Sequence, residues 1–201
     1  RYLMEMNAAY TGSEKFAPGK RFGFFPSFSV GWRISEEPFL KKMQESWLTN
    51  LKVRYSYGEV GSDKGAPRFN YIQLFESGGN VTFGKNQNVS FGPLYTEGSL
   101  AYHDATWETA VKQNLGIEMT LFRKLLASID LFKEDRTGIL MSRNSSAPWM
   151  GTGLPSVNIG KTKNHGLELE LGWNDKVGKN FSYFAKFNFS TSENRVVFKD
   201  D

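Results

Sequence analysis

The sequence predicts an all-β protein built from long antiparallel strands, of the kind that forms a segment of a transmembrane β-barrel. Three observations carry this prediction. Apolar and polar residues alternate with a period of two in string after string. The alternating runs are longer than an ordinary strand of about 5 or 6 residues. Short connections between the strings alternate with long ones, as in outer-membrane barrels. Average hydropathy does not reveal such a barrel, because only every second residue of a strand faces the lipid.

The clearest strand is "RFGFFPSFSVGWRI", residues 21–34. Apolar residues and Pro26 occupy the even positions from Phe22 to Ile34, and small or charged residues occupy the odd positions. A period of two places these two sets on opposite faces of an extended strand. Only Phe25 breaks the alternation.

The same alternation recurs in six further strings, several of which carry charges at the centre of the polar face. Because successive side chains of a strand point to opposite faces, each string predicts one apolar and one polar face. The predicted strands, in chain order, lie in "YLMEMNAAY" (2–10), "NLKVRYSYGEVG" (50–61), "NLGIEMTLF" (114–122), "LLASIDLFKED" (125–135), "GLELELGW" (166–173) and "FSYFAKFNFS" (181–190).

The connections alternate in length. Only "RK" separates Phe122 from Leu125, which predicts a two-residue hairpin, and "NDKVGKN" is another short turn. Outer-membrane barrels have short periplasmic turns and long extracellular loops. Strand parity therefore assigns the short turns and residues 35–50 to the periplasmic side, and the long connections to the outside. The long connections are residues 12–20, 61–106 and 140–158.

Residues 35–50, "SEEPFLKKMQESWLTN", contain the one predicted helix. Ser35 would cap it, and Pro38 stands near its start. Within residues 61–106, we expect "FNYIQLFES" and "NVTFGKNQNVSF" to add a hairpin. The tryptophans fit the same scheme: Trp32 and Trp173 fall at periplasmic strand ends and Trp107 at an extracellular one, as aromatic girdles require.

Composition excludes several classes of protein. The chain has 201 residues and no cysteine, so it has no disulfide framework and no thiolate site. Its apolar stretches are far shorter than the roughly 20 residues of a membrane-spanning helix. The net charge is +4, from 25 basic and 21 acidic residues that are scattered along the chain. Nucleic-acid binding needs a basic stripe, so we expect no nucleic-acid partner.

Four blocks of this sequence resemble, in order and spacing, the barrel of the SusC/RagA-type TonB-linked outer-membrane transporters. They cover most of the chain, and each is a long string punctuated by aromatic residues. The blocks are "FFPSFSVGWRISEEPFL", "WLTNLKVRYSYGEVGSD", "WETAVKQNLGIEMTLFRKLLASIDLFKEDRTGIL" and "NIGKTKNHGLELELGW".

This resemblance implies that residues 1–201 are a C-terminal part of a 22-stranded barrel. We expect the plug domain, the TonB-binding segment and the other strands to lie outside these residues. The family imports nutrients such as oligosaccharides or peptides across the outer membrane of Gram-negative bacteria. The partners implied are a SusD-like surface lipoprotein, TonB, the substrate, and the membrane lipid or lipopolysaccharide around the wall. The resemblance implies neither an enzyme nor a cofactor.

The two faces of the strands predict two sets of residues with different surroundings. The apolar set should face lipid, and the polar set should face the lumen, where it meets water, plug or substrate. The lipid-facing set is Phe24, Phe28, Leu115, Ile117, Leu169 and Phe187, and the lumen-facing set is Lys52, Arg54, Glu118, Glu168 and Glu170.

Few residues suggest other chemistry. Glu168 and Glu170 stand about 7 Å apart on one strand face, a spacing that an inverting glycosidase could use. Alternation alone produces such pairs, however, and nothing places an acid beside a base. His103 and His165 lack the spacing of a metal site. "GSDKGAPR" lacks the order of a phosphate-binding loop and is predicted to be an external turn.

Two further groups of residues have simple structural explanations. Five N-x-[ST] sequons arise from alternating polar faces, at Asn80, Asn88, Asn144, Asn180 and Asn188. Exposed aromatics in the proposed outer loops could stack on sugars or pack against a lid protein, but we favour packing within the loops. These aromatic and apolar side chains are Tyr95, Tyr102, Trp149 and Met150. We assign no catalytic, cofactor, metal or ligand-binding residue.

Two alternatives remain open at this point. A soluble β-sandwich that binds carbohydrate would also bury one face of alternating strands, but it does not explain the strand lengths or the rhythm of the connections. An outer-membrane enzyme or a passive porin would share the barrel, but not the four family-like blocks.

Overall fold

The computed structural model describes residues 1–41, 47–85, 89–143 and 153–200. In this part of the chain the complete regular elements are strands and a 3₁₀ turn, Ile34–Glu36. The strands are β1 (Tyr2–Gly12), β2 (Phe22–Arg33), β3 (Leu48–Ser62), β4 (Phe75–Phe83), β5 (Val89–Glu97), β6 (Glu108–Leu121), β7 (Leu125–Met141), β8 (Val157–Val177) and β9 (Phe181–Phe198).

Seven of the strands form one antiparallel sheet in the order β1-β2-β3-β6-β7-β8-β9. Its strands follow chain order, and the hairpin β4-β5 is a separate two-stranded sheet inserted between β3 and β6. The sheet is not closed, since β1 and β9 form its two edges. The predicted all-β architecture of antiparallel neighbours is confirmed.

The strands are long, and some extend well beyond the predicted strings. β8 has 21 residues and β9 has 18, against a usual strand of about 5 or 6. The period-two prediction missed the first part of β8 because its alternating pattern there is polar on both faces. Lys161, Lys163 and His165 occupy positions that Leu167 and Leu169 continue as apolar residues.

The "RK" hairpin differs from the prediction. Its loop has three residues, Phe122 to Lys124, because Leu121 pairs with Leu125. Phe122 and Arg123 have φ values of 54° and 58°, and the Lys124 N–H donates to Leu121 O at 3.0 Å. Two consecutive left-handed residues are the type I′ geometry that suits the twist of a hairpin. This geometry usually takes Asn-Gly, so the sequence "FRK" gave no signal for it.

The other short connection is tighter than predicted. β8 continues to Val177, which pairs with Phe181, so residues 178–180 make the turn. Gly178 adopts a φ of 66° there, which glycine accepts without a steric penalty. The strand pairing thus includes most of the "NDKVGKN" string that we predicted to be a turn.

Of the predicted helix over residues 35–50, the described residues show only Lys41 as helical. Ser35 lies inside the 3₁₀ turn rather than capping it, and β3 already begins at Leu48. Residues 42–46 lie outside the described residues. The predicted hairpin between β3 and β6 exists, but its turn falls within "NVTFGKNQNVSF" rather than before it. Its strands are therefore "FESGGNVTF" and "VSFGPLYTE".

The seven-stranded sheet is exposed on both faces. Among the described residues the buried apolar side chains are few and lie mostly in loops, while apolar strand residues such as Met4 and Phe187 are 74% and 56% exposed. A β-sandwich would bury this face under a second sheet, and no described element covers it. Seven of the described strands therefore form one open sheet rather than the two packed sheets of a sandwich. In the described residues, no helix has the length and apolar character needed to cross a membrane.

The apolar side chains form a band that climbs across the sheet. One cross-strand row joins Phe28, Tyr57, Gln113, Lys133 and His165. In this row β7 and β8 contribute charged or polar residues, whereas β2 contributes the aromatic residue Phe28. The same face of β2 stays apolar over the six residues from Phe28 back to Phe22, the first residue of the strand. A band that is level with a membrane climbs in this way when the strands are tilted.

Candidate functional site

Strand register separates the two predicted sets of residues onto opposite faces of the sheet. One row of the apolar face joins Val53, Ile117, Ile129, Leu169 and Phe189. The neighbouring rows of the polar face hold the charged residues. These rows are Lys52-Glu118-Ser128-Glu170-Asn188 and Arg54-Gly116-Asp130-Glu168-Ser190. The sequence therefore predicted which residues share a face, because register preserves the period of two across strands.

The two polar rows form an ion-pair network across three strands, which we call the charged belt: Lys52, Arg54, Glu118 and Asp130. Lys52 Nζ lies 3.4 Å from Glu118 Oε2, and Arg54 Nε lies 2.9 Å from Glu118 Oε1. Arg54 Nη2 donates to Asp130 Oδ1 at 2.6 Å. Asp130 also accepts a hydrogen bond from Ser128 Oγ at 3.2 Å. Each cation of the belt thus has a carboxylate partner.

Gly116 makes the contact between Arg54 and Asp130 possible, which spans from β3 to β7. It lies on β6, between Arg54 on β3 and Asp130 on β7. A Cβ atom at this position would stand 2.6 Å from Arg54 Nε and 2.8 Å from its Cζ. The arginine side chain therefore lies across the backbone of β6, in space that only glycine leaves open.

Glu168 and Glu170 belong to the same polar face. Glu170 Oε1 forms an ion pair with Lys186 Nζ at 2.7 Å. Glu168 is the cross-strand neighbour of Asp130. A glycosidase would need an acid and a base that face each other across a substrate cleft. These two residues instead belong to successive rows of one open sheet face. Their geometry fits the lumen-lining interpretation.

A second zone of the polar face lies next to the charged belt, on the side of the long loops, and is largely uncharged over β2 and β3. Its two rows are Glu5-Ser29-Ser56-Asn114-Phe132 and Asn7-Ser27-Gly58-Lys112-Glu134. We call this zone the hydroxyl rows. Between their small side chains lies a groove of about 500 Å³. In the sequence each of these serines is an ordinary polar strand position, so alternation alone does not distinguish them.

The long loops pack into a compact cluster next to β2. Phe16 is fully buried and lies against Ala66 and Ala105. Trp107 contacts Phe16 with ring centroids 5.3 Å apart, and its indole donates to Arg21 O at 3.1 Å. We predicted Trp107 for an aromatic girdle, and the structure places it in this cluster instead.

Phe25, the one break in the alternation of β2, belongs to the same cluster. Its ring is 5.4 Å from that of Trp107. Side chains at Gly23 or Gly61 would overlap the Phe25 ring. The exception in the sequence is thus the residue that ties the strand to the loops above it.

Ionic contacts hold the same loops. Asp63 accepts from Ser13 Oγ at 2.7 Å and lies 3.4 Å from Lys15 Nζ. The hydrogen bond from Ser13, aided by the charge of Lys15, lowers the pKa of Asp63 below its ordinary value. "GSDKGAPR", which contains Asp63, is therefore partly the end of β3 and partly a turn that closes this cluster.

A separate polar contact stands at the opposite end of the sheet. Glu37 is 7% exposed, and its Oε1 accepts from Trp32 Nε1 at 3.0 Å and from Tyr2 Oη at 3.1 Å. Arg1 Nη1 lies 3.3 Å from Glu37 Oε2. The indole hydrogen bond is the main cause that lowers the pKa of Glu37, followed by the Tyr2 hydroxyl and the Arg1 charge, against burial.

The remaining candidates stay apart from the polar face. His103 is exposed in a loop, and His165 lies on the apolar side of β8, 3.9 Å from Glu193. No group of three His, Cys, Asp or Glu able to hold a metal occurs in the described ranges. Tyr95 is 64% exposed on β5, whereas Tyr102 packs beside the loop cluster as predicted.

The sequons fall in dissimilar places. Asn80 lies in β4, Asn180 in the turn before β9, and Asn188 on the polar face. Asn188 and Ser190 share that face, which agrees with alternation as their origin. Four of the predicted residues lie outside the described part of the chain: Asn88, Asn144, Trp149 and Met150.

Residues 5–201 match the family described as "TonB dependent receptor-like, beta-barrel". The chain is 32% identical over 200 residues to TonB-dependent receptor P39 of Formosa agariphila, covering 98% of this chain and 18% of that protein. It is 26% identical over 201 residues to TonB-dependent receptor SusC of Bacteroides thetaiotaomicron, covering 98% of this chain and 19% of that protein.

Solved structures share the fold. The RagAB peptide importer in its "open-open" state matches with a TM-score of 0.81 and 20% identity, over 98% of this chain and 20% of the matched chain. Its "closed-closed" state matches with a TM-score of 0.79 and 19% identity, over 97% of this chain and 20% of the matched chain. The chain thus spans about a fifth of the length of the proteins it resembles.

Proposed function

Since this chain belongs to the TonB-dependent receptor-like β-barrel family, we propose that it forms part of the wall of an outer-membrane transporter that imports a nutrient. Members of this family are outer-membrane barrels. The observation that carries the proposal is the two-faced open sheet. Its exposed apolar band would face lipid, and its ion-paired charged belt would face the lumen.

The energetics favour this orientation over the reverse. A lipid-facing lysine or arginine near the bilayer midplane costs about 2 to 4 kcal/mol. Lys52 and Arg54 would bear that cost if the polar face met lipid, while the Ile117 row would be exposed to water. Long strands also suit a bilayer, since a tilted spanning strand needs about 9 to 11 residues.

We further propose that the rest of the transporter lies in polypeptide beyond these 201 residues. The curated relatives are about five times longer, because the matched region is 18% or 19% of their length. The remaining barrel strands, a plug that closes the lumen and a TonB-binding segment would complete the protein. The complete transporter would lie in the outer membrane of a Gram-negative bacterium, and TonB would supply the energy for transport.

The substrate and the lid are proposals of the same kind. The likeness to SusC and to the RagAB peptide importer supports an oligosaccharide or a peptide as substrate, and a SusD-like surface lipoprotein as partner. The named relatives are receptors and importers. We therefore propose translocation without covalent chemistry on the substrate, and neither a cofactor nor a nucleic-acid partner.

Fractionation of the source cells tests this proposal. The native polypeptide should be recovered in the outer membrane with an intact mass several times the 22.8 kDa of this chain. Peptide sequencing should find further barrel strands and a plug in the same polypeptide. Deleting its gene, or the gene for TonB, should abolish uptake of the same nutrient. A soluble protein of the mass of this chain would contradict the proposal.

A further inference from the structure

We propose that β8 and β9 carry, on the side of the apolar band, a binding site for the phosphate group of a lipid in the outer leaflet. The inference rests on the proposed function, because it requires the apolar band to face lipid. It goes further by placing a binding site on the outside of the wall and by naming the chemical class of its ligand. The site consists of Lys161, Lys163 and Arg195, which we call the cation patch.

The cation patch continues the apolar face toward the long loops. Lys163 and Lys161 follow the alternation of Leu169 and Leu167 on β8, and Arg195 is the cross-strand neighbour of Lys163 on β9. A strand rises about 3.3 Å per residue, and a tilt of about 40° leaves about 2.5 Å of that rise along the membrane normal. Lys163 would therefore lie about 10 Å further out than Leu167. The cations would then stand at the level of the lipid headgroups, just above the hydrocarbon core.

The cations of this patch lack carboxylate partners. Lys161, Lys163 and Arg195 form no ion pair with any described residue. Most other cations of the strands have a carboxylate oxygen within 3.5 Å, namely Lys52, Arg54, Lys112, Lys133, Arg136 and Lys186. The remaining two, Arg33 and Lys176, stand at the opposite end of the sheet. Among the described strands, unpaired cations therefore gather in the cation patch.

Like charges face each other in the patch. Lys163 stands directly opposite Arg195, and like charges in a cross-strand pair destabilise a sheet. Lys161 lies on the same face of β8 and adds a third positive charge, with its Cα about 7 Å from that of Lys163. All three residues are exposed, so an anion can reach them. A bound anion would replace this repulsion with three attractive contacts.

The nearest carboxylates do not neutralise the patch. Asp135 is the β7 neighbour of Lys163, but its Oδ2 is bound by Lys133 Nζ at 2.7 Å. Glu193 Oε2 lies 3.9 Å from His165 Nε2. Lys133 and the cation patch together supply four cations against these two carboxylates. The surface therefore keeps an excess of positive charge.

The patch has the size and the donors that one phosphate group requires. Neighbouring strands lie about 4.8 Å apart, so the flexible side chains of the patch can converge on a single group. A phosphate accepts charge-assisted hydrogen bonds from several donors at once. The guanidinium of Arg195 can bind it with two parallel bonds, and the two lysines can bind it as point charges.

The apolar residues beside the patch favour a lipid over a soluble phosphate. Leu167, Leu169 and Phe189 lie on the same face, on the membrane side of the cations, and Phe189 is 49% exposed. Acyl chains would pack against these side chains while the phosphate meets the cations. A soluble phosphate would gain only the charge contacts, which salt screens at an exposed surface.

Lipid binding by the full-length protein, purified and delipidated in detergent, tests the inference. The two probes are lipid A that carries one phosphate group and the same lipid A without its phosphate. Native mass spectrometry measures the dissociation constant of each. We expect the phosphorylated probe to bind about a hundredfold more tightly, since each basic residue near an anionic headgroup contributes about fivefold.

A double variant locates the site. Lys163→Gln combined with Arg195→Gln should weaken binding of the phosphorylated probe about 25-fold, because two of the three charges are lost. The matched control combines Lys112→Gln with Lys186→Gln. It removes the same charge from the opposite, polar face, and it should leave binding unchanged.

Three results would overturn the inference: the two probes bind equally, neither probe binds, or the two double variants lose binding equally. The comparison of probes uses the natural protein, so it decides the matter even where a variant fails to assemble. None of these results bears on outer-membrane location or on TonB-dependent uptake, which fractionation and gene deletion measure separately. Failure of this site and failure of the proposed function are therefore distinguishable.

Discussion

Arg54 on β3 reaches past an entire strand to bind Asp130 on β7, with 2.6 Å between Arg54 Nη2 and Asp130 Oδ1. The strand it crosses is β6, and the residue beneath its guanidinium is Gly116. The contact links three strands of the polar face through one side chain. It thus adds a side-chain contact to the backbone pairing of a sheet that, among the described residues, has no packed core beneath either face.

Gly116→Ala should displace Arg54 and destabilise the barrel. The new Cβ would stand 2.6 Å from Arg54 Nε, so the arginine must lift off β6 and its contact with Asp130 must lengthen. Overpacking of this kind costs typically 1 to 3 kcal/mol. The measurement is the free energy of unfolding of the full-length protein in lipid vesicles, from urea titration.

Gly172→Ala is the control for that experiment. Gly172 lies on the same polar face, but an added Cβ there would meet only Leu126 atoms, at 3.8 and 3.9 Å. Ordinary contact and a better strand propensity than glycine predict an unchanged or slightly higher stability. Equal losses in the two variants would show that Gly116 has no special role.

Ile117→Arg and Glu118→Gln test which face meets lipid. Ile117 lies in the apolar row and Glu118, its neighbour, in the charged belt. If Ile117 is near the bilayer midplane, the arginine should destabilise the folded protein in vesicles by about 2 to 4 kcal/mol. Glu118→Gln should cost less, because its side chain stays in the aqueous lumen. Equal tolerance of both changes would refute the facing assignment.

Glu37 should make the stability of the barrel depend on pH. Its folded pKa is lowered by the Trp32 indole, the Tyr2 hydroxyl and Arg1, from about 4.3 in an unfolded chain. A lowered pKa adds stability that is fully present above the unfolded value and is lost as pH falls through the folded value. Unfolding titrations from pH 7 to below 4 should show a smaller loss in Glu37→Gln than in the natural protein, because the lowered pKa of Asp63 contributes a loss to both.

Trp32→Phe separates the indole hydrogen bond from the other contacts of Glu37. Phenylalanine keeps an aromatic ring against Tyr2, whose ring lies 6.3 Å from that of Trp32, but it removes the N–H donor. The pKa of Glu37 should rise toward its usual range, so the loss of stability in acid should be smaller and should be complete at a higher pH. An unshifted pH profile would mean that the indole is not the main cause.

Gly61→Ala should loosen the loop cluster while leaving the sheet intact. A methyl group there would overlap the Phe25 ring, which packs against Trp107 at 5.4 Å. We expect faster proteolysis within residues 12–21, measured by mass spectrometry on the folded protein. Gly92→Ala, where an added Cβ meets nothing within 4 Å, should leave the cleavage rate unchanged. Equal cleavage rates in the two variants would contradict the role of Phe25.

The sequence predicted most of the sheet because alternation is a local signal. Alternation alone places Val53, Ile117 and Leu169 on the apolar faces of their own strands. The register between strands then brings these faces to one side of the sheet. Strand ends were harder to predict, since the early part of β8 alternates between polar residues on both faces. The I′ turn at Phe122 and Arg123 lacks the glycine and asparagine that usually announce that geometry.

The contacts across the polar face were beyond the reach of the sequence. Glu118 and Lys52 were predicted to line the lumen, but Arg54 and Asp130 are 76 residues apart in sequence, and only the strand order brings them into contact. The one sign of this contact in the sequence is Gly116. Without knowledge of its neighbours, this glycine cannot be distinguished from any other small residue of a strand. Phe25 was visible as an exception, and only its contact with Trp107 gives that exception a cause.

A nitroxide scan of residues 113–121 in the reconstituted full-length protein tests the central claim most directly. At each position, collision rates with oxygen, which partitions into lipid, and with a water-soluble nickel complex are measured. The account predicts a period of two, in which Leu115, Ile117 and Met119 favour oxygen and Asn114, Gly116 and Glu118 do not. Uniform access to the nickel complex along the whole strand would contradict a membrane-spanning wall.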